Sequence, residues 1–233
     1  MNASPPSPQG PARPGAGLRF PRGLYGITPE WDDTGRLLQA IRAAARGGMT
    51  ALQLRRKTVS LPFKHLQARE VRDLCAELGL VFILNDHWRL AQELGADGVH
   101  LGRDDGDLAA VRQNLGPQML IGASCYGDLQ RARQALADGA DYLAFGAMFP
   151  SSSKPQATPA SLDVLGQARA LVQEQPAPRP GIVAIGGITP ENAGQVLRAG
   201  ADSLAMISGL FDAPDIEAAA RRCTALLSGP QAP

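Results

Sequence analysis

Eight short apolar runs, each four to six residues long and each followed by a stretch with helical spacing, constrain this chain more than any other feature. The runs are Leu24 to Thr28, Ala51 to Arg55, Val81 to Asn85, Gly98 to Gly102, Leu120 to Ser124, Tyr142 to Gly146, Ile182 to Gly186 and Ser203 to Ser208. Their length and continuous apolar character suit strands buried on both faces. Between them, segments such as Leu37-Leu38-Ala40-Ile41-Ala44-Ala45 and Ala193-Val196-Leu197 place apolar residues at helical spacing. The triplets Gly95-Ala96-Asp97, Gly139-Ala140-Asp141 and Gly200-Ala201-Asp202 recur where a helix ends and a strand opens, and Gly47-Gly48-Met49-Thr50 takes the same place before the second strand. A glycine just past a helix adopts the left-handed conformation that closes it. Strict alternation excludes a helical solenoid or a propeller. Eight equal units favour a closed parallel barrel over an open doubly wound sheet, so the predicted fold is α/β, a (β/α)8 TIM barrel with eight strands and eight helices.

The barrel is expected as a single domain over residues 18–228. Residues 1–17 carry Pro5, Pro6, Pro8, Pro11 and Pro14 among small polar residues, a composition that predicts a disordered tail. Lys+Arg 23 against Asp+Glu 22 gives a net charge of +1, without the basic excess that nucleic-acid binding requires. Aromatics at 5% argue against base-stacking surfaces as well. Cys75, Cys125 and Cys223 show no metal or redox spacing, and no apolar run of signal or membrane-span length is seen, so a reducing cytoplasmic compartment is expected. The pattern is compatible with a homo-oligomer.

In such barrels the active site lies at the carboxyl ends of the strands, so the polar residues there matter most. The second strand ends in Gln53-Leu54-Arg55-Arg56-Lys57. Alternation puts Gln53, Arg55 and Lys57 on one face and Leu52 and Leu54 on the other. With the leucines against helices, Arg55 and Lys57 enter the barrel mouth, where two cations suit an oligophosphate. Arg56 is read as a solvated residue at the start of the loop. The third strand ends in Asn85-Asp86 and the fourth runs into Gly102-Arg103-Asp104-Asp105. Carboxylates on neighbouring strand ends repel unless a divalent cation joins them, and magnesium suits one or two carboxylates completed by water and phosphate oxygens. Asp86 and Asp105 are the candidate ligands, with helix capping by Asp105 or Asp107 as the competing reading.

Ser124 ends the fifth strand and serves equally well as a phosphate donor or a local backbone partner. Cys125 is read as a small buried thiol and His100 as a core or supporting histidine rather than a general base. After the sixth strand, Phe149-Pro150-Ser151-Ser152-Ser153-Lys154-Pro155 sets hydroxyls beside a lysine in a long loop over the mouth. Strands seven and eight end in Gly186-Gly187-Ile188 and Ile207-Ser208-Gly209, at the usual phosphate site of the fold. Two anion regions with no evident nucleophile or base between them suggest a reaction driven by departure of diphosphate.

These residues resemble the thiamine phosphate synthase (thiamine-phosphate pyrophosphorylase) family. The matching motifs are Gln53 to Lys57, Asn85-Asp86, Gly95 to Gly102, Ile121 to Ser124, Pro150 to Lys154 and Ala184 to Ile188, in order between about Leu24 and Leu210. The resemblance implies a barrel enzyme, a transferase, joining hydroxymethylpyrimidine diphosphate to hydroxyethylthiazole phosphate through a pyrimidine cation, with magnesium as cofactor and small molecules as partners. By motif match, Gln53, Arg55, Lys57, Asn85, Ser124 and Lys154 would hold the pyrimidine diphosphate. Asp86 and Asp105 would bind magnesium, and Ser151, Ser153, Gly187, Ile207 and Ser208 would hold the thiazole phosphate. Arg55, Lys57 and Lys154 are the expected catalytic residues. The family usually has threonine where Ser151 and Ser153 stand; serine keeps the hydroxyl and loses the stiffening methyl. The alternatives are a thiazole tautomerase-like isomerase and a noncatalytic phosphate-binding barrel, and retention of the acids and cations at the strand ends speaks against both.

Overall fold

The computed structural model describes residues 17–150 and 158–228; residues 1–16, 151–157 and 229–233 lie outside the described residues. Eight parallel strands close into a barrel in chain order. They are β1 (Gly23–Ile27), β2 (Met49–Leu54), β3 (Val81–Asn85), β4 (Gly98–Leu101), β5 (Leu120–Tyr126), β6 (Tyr142–Phe145), β7 (Gly181–Ile185) and β8 (Ser203–Met206). The helices are α1 (Thr34–Arg46), α2 (Leu61–Leu78), α3 (Trp88–Leu94), α4 (Leu108–Leu115), α5 (Leu129–Ala137), α6 (Asp163–Gln173), α7 (Ala193–Arg198), α8 (Ser208–Phe211) and α9 (Ile216–Ser228). The described residues thus hold nine helical segments where eight were expected, because the single turn α8 follows β8 before α9 packs on α1 and β1. None of these helices is long and apolar enough to cross a membrane.

Strand bounds shift by up to two residues from the sequence expectation. β5 continues past Ser124, pairing Tyr126 with Phe145 across an irregularity. A polar side chain marks where a strand meets the cavity; the backbone ladder ends independently of it.

The core has two layers, as strand alternation dictates. Leu52 and Leu54 of β2 join Val99, Leu143, Ile182 and Leu204 in the shell between sheet and helices. Tyr25, Ala51, Ile83, Leu120, Tyr142, Val183 and Ala205 fill the barrel interior, and Phe20 closes its lower end. The chain is tied down from its first described residues, with Leu18 bridging Arg179.

The three Gly-Ala-Asp triplets have a use beyond turning the chain. Asp97, Asp141 and Asp202 accept the backbone N–H of Phe82, Ile121 and Ile182, each at 2.8 Å. Each aspartate N–H in turn donates to the carbonyl of that same residue, at 3.0, 2.7 and 2.8 Å. A paired hydrogen bond therefore ties the starts of β4, β6 and β8 each to the odd strand before it, at the face opposite the site. Gly95 closes α3 in the left-handed conformation as expected. Gly139 and Gly200 also have positive φ, but stand one residue beyond the caps Asp138 and Ala199.

Candidate active site

At the carboxyl ends of the strands a cavity of about 340 Å³ opens, and every strand contributes to its wall. Its lining includes Tyr25 and Ile27 from β1, Gln53, Arg55 and Lys57 at β2, Asn85 and Asp86 at β3, and His100, Gly102 and Asp105 at β4. Ser124, Tyr126, Ala144, Gly146, Ile185, Gly186, Ala205 and Ile207 complete it.

One wall is strongly charged. Lys57 lies 3.3 Å from the Asp86 carboxylate, and Asp86 is hydrogen-bonded to Asp105. Asp105 also accepts the Gly102 N–H at 2.7 Å. Burial, followed by the hydrogen bond and charge of Asp105, pushes the Asp86 carboxyl above the ordinary carboxylate range. Burial works the same way on Asp105, but the hydrogen bond from Asp86, the Gly102 amide and Lys57 outweigh it and hold Asp105 low. The two facing acids therefore shift in opposite directions, Asp86 the more readily protonated of the pair. Asp86 also has φ 65, a left-handed backbone uncommon for a residue with a side chain.

The acid pair fits a divalent cation of the magnesium kind. Among the described residues no group of three or more His, Cys, Asp or Glu stands together. A cation on Asp86 and Asp105 would therefore complete its shell with water and substrate oxygens, the habit of magnesium.

The alternation expected for β2 holds. Gln53 is buried in the barrel, Arg55 pairs with Glu30 at 3.2 Å, and Glu30 also accepts the Lys57 N–H at 3.0 Å. Arg56 corrects the sequence reading. Its side chain is 1% exposed rather than solvated, paired with Asp32 and lying over the Phe63 ring. Alternation turns it away from the mouth, and α2 covers it there.

Asp107, not Asp105, caps α4, accepting the Ala109 and Ala110 N–H groups. Ser124 faces the cavity, with its Oγ 2.9 Å from His100 Nε2. His100 is buried and both ring nitrogens have partners, Nδ1 lying 3.1 Å from the Tyr142 hydroxyl. Cys125 is a buried thiol as expected, its pKa pushed up to about 12 by burial, far from a thiolate nucleophile.

At β7 and β8, Gly186 and Ile207 line the cavity, whereas Gly187 and Ser208 stand just outside its wall. Gly187 has φ 62, and a Cβ there would lie 2.3 Å from the Pro150 carbonyl oxygen. The loops after β6 and β7 therefore touch backbone to backbone. Ser208 opens α8. Ser151, Ser153 and Lys154 lie outside the described residues.

Sequence reasoning passed over several contributors. Glu30 anchors the cationic strand end, and Tyr25 lines the floor. Both follow from asking what ends the first strand, where the same alternation points Tyr25 and Ile27 inward. Tyr126, at φ 57, forms part of the rim with Arg103 and Arg131 stacked against its ring. Behind Asp86, Lys64 of α2 contacts His87. Nothing in the local pattern distinguishes that pair, because α2 approaches β3 only through the tertiary packing.

The family model described as Thiamine monophosphate synthase matches residues 24–210. A thiamine-phosphate synthase of Bordetella pertussis is 64% identical over 211 residues, covering 91% of this chain and 97% of that protein. One from Chromobacterium violaceum is 51% identical over 199 residues, covering 85% and 93%. Among solved structures, the thiamine phosphate pyrophosphorylase from Pyrococcus furiosus superposes with a TM-score of 0.75 at 32% identity, over 88% of this chain and 95% of that one.

Proposed function

The chain belongs to the thiamine monophosphate synthase family, and from that membership we propose how its barrel works as a transferase, joining hydroxymethylpyrimidine diphosphate to hydroxyethylthiazole phosphate. The products are thiamine phosphate and diphosphate. The single observation that carries the reading is the convergence of Arg55, Lys57, Asp86 and Asp105, from three neighbouring strand ends, on one wall of the cavity.

That wall suits a diphosphate leaving group. The bond between the pyrimidine methylene carbon and the diphosphate oxygen breaks, and its electron pair departs with the diphosphate. The thiazole nitrogen then closes on the methylene cation with its lone pair, so no proton moves. Arg55 binds phosphate oxygens through a planar fork and Lys57 as a compact charge. Glu30 keeps Arg55 extended toward the mouth, and Lys154 would add a further cation. Asn85, Gln53 and Ser124 orient the pyrimidine end against the buried floor. Magnesium on Asp86 and Asp105 would neutralise charge on the departing diphosphate. The thiazole phosphate is assigned to the β6–β8 side, with Ser151, Ser153, Gly187, Ile207 and Ser208. Preorganised charge and alignment account for such a rate without a protein nucleophile.

The three buried thiols, all free, suit a reducing, cytoplasmic setting. The test is an incubation of the protein with both substrates and magnesium, following thiamine phosphate and diphosphate. Equal appearance of both, abolished by a chelator, is expected; formation of neither overturns the reading.

A further inference from the structure

A chain of buried hydrogen bonds crosses the barrel floor beneath the cavity. Gln53 Nε2 donates to the Tyr25 hydroxyl at 2.8 Å, and the Tyr25 and Tyr142 hydroxyls are 2.9 Å apart. Tyr142 lies 3.1 Å from His100 Nδ1, and His100 Nε2 lies 2.9 Å from Ser124 Oγ. Gln53 and Ser124, the two ends, line the cavity, while Tyr142 does not and is fully buried. Strand register builds the middle. His100, Gly122 and Tyr142 stand side by side on β4, β5 and β6. A Cβ on Gly122 would fall 1.9 Å from the Tyr142 ring. The missing side chain lets that ring lie across β5 and stack on His100, centroids 5.6 Å apart.

A hydroxyl has one hydrogen to give but can accept twice, so one sense is favoured because a buried hydroxyl hydrogen left without an acceptor is costly. The Gln53 amide meets both tyrosines, and in that favoured sense Tyr25 gives its own hydrogen to Tyr142. Tyr142 then donates to His100 Nδ1. A neutral imidazole accepting at Nδ1 carries its hydrogen on Nε2 and donates it to Ser124 Oγ. The Ser124 hydrogen is left for the cavity, as is the Gln53 carbonyl oxygen.

We propose that His100 and Tyr142 are positioning residues, through which the orientation of the Gln53 amide fixes Ser124 as a donor to the substrate. The site then asks for a hydrogen-bond donor at Gln53 and an acceptor at Ser124, and rejects a ligand with the two exchanged. An aminopyrimidine, with an exocyclic amino group and ring nitrogens or phosphate oxygens as acceptors, satisfies both. The identity of that ligand rests on the synthase reading; the sense of the relay does not.

The relay is read directly by nitrogen NMR of the whole protein, which distinguishes the two neutral imidazole tautomers and the imidazolium. The chain has three histidines, assigned by comparison with His65→Gln and His87→Gln. The expected form of His100 is the Nε2–H tautomer; the Nδ1–H tautomer or the imidazolium overturns the proposal. Gln53→Glu offers an ionised acceptor to Tyr25 and should reverse every bond, moving His100 to Nδ1–H, whereas an unchanged tautomer in a folded variant overturns it. Tyr142→Phe provides the kinetic arm. It should raise KM for the pyrimidine diphosphate about fivefold, the worth of one hydrogen bond, with KM for the thiazole phosphate unchanged. No change, or an equal change in both, overturns the proposal. Failure of the synthase reading would show separately, as a wild-type protein that makes no thiamine phosphate.

Discussion

Lys57 sets its ammonium 3.3 Å from Asp86, and Asp86 is itself hydrogen-bonded to Asp105. The three side chains come from consecutive strand ends, so a cation, an acid and a second acid lie within one charged contact. Burial, then the hydrogen bond and charge of Asp105, raises the Asp86 carboxyl above its ordinary range. A divalent cation on this pair, as proposed, would compete with protons for the same oxygens, so its binding would depend on pH.

Asp86→Asn is expected to raise the magnesium needed for half-maximal rate by roughly tenfold or more, since an amide is a poorer ligand for a hard cation. Initial rates across a magnesium titration check this. A titration matching the wild type would mean that Asp86 is not a ligand.

Lys57→Ala and Arg56→Ala should behave in opposite ways although the residues are adjacent. Lys57 is about half exposed and faces the mouth. Its removal should lower kcat/KM by roughly a hundredfold and leave the melting temperature nearly unchanged. Arg56 is buried against Phe63 and Asp32. Its loss should cost about 1–2 kcal/mol of stability and change kcat/KM little. Urea unfolding and steady-state kinetics on both variants check the pair, and a rate defect in Arg56→Ala would show that alternation is not what separates them.

Asp202→Asn should destabilise the protein by about 3 kcal/mol, the cost of breaking a buried, hydrogen-bonded ion pair. Asp202 is bonded to Arg169, Arg179 and the Ile182 N–H. Burial opposes its ionisation, yet the Arg179 bond, Arg169 and the amide together hold its pKa below the ordinary value. A lowered folded-state pKa contributes stability that is full above the unfolded value of about 3.9 and is lost as pH falls through the folded value. Unfolding free energies across that acid range should therefore decline less steeply in the variant. Parallel wild-type and variant curves would rule the ionised pair out as the cause.

Gly187→Ala is expected to cost about 1–3 kcal/mol, from its left-handed φ and from the collision with the Pro150 carbonyl. The separated loops should also raise KM for the thiazole phosphate, measured at saturating pyrimidine diphosphate. An unaffected KM in a destabilised variant would make Gly187 a packing residue only.

Local sequence carried much of this. Five to six apolar residues between helical segments determine strands buried on both faces, and eight repeats of that unit close a barrel. Alternation along Gln53-Leu54-Arg55-Arg56-Lys57 determined which side chains enter the mouth, because the period of a strand is two wherever the strand lies. What alternation lacked was the fate of the outward face: Arg56 is buried because α2 lies over it, a contact formed between separate elements.

Only the closed barrel decided the rest. The aspartates of the Gly-Ala-Asp triplets look like turn residues until each is seen bonded to the strand before it. Strand-end position already singled out Asp86 and Asp105, but the bonds of Asp105 to the Gly102 amide and to Asp86 needed the actual course of the loop after β4. The path from Gln53 to Ser124 runs through five strands and depends on the gap at Gly122. A sequence determines the period and polarity of each element, since those are properties of a few consecutive residues. Which buried polar groups meet is determined by the register of strands far apart in the chain, and register exists only once the barrel has closed.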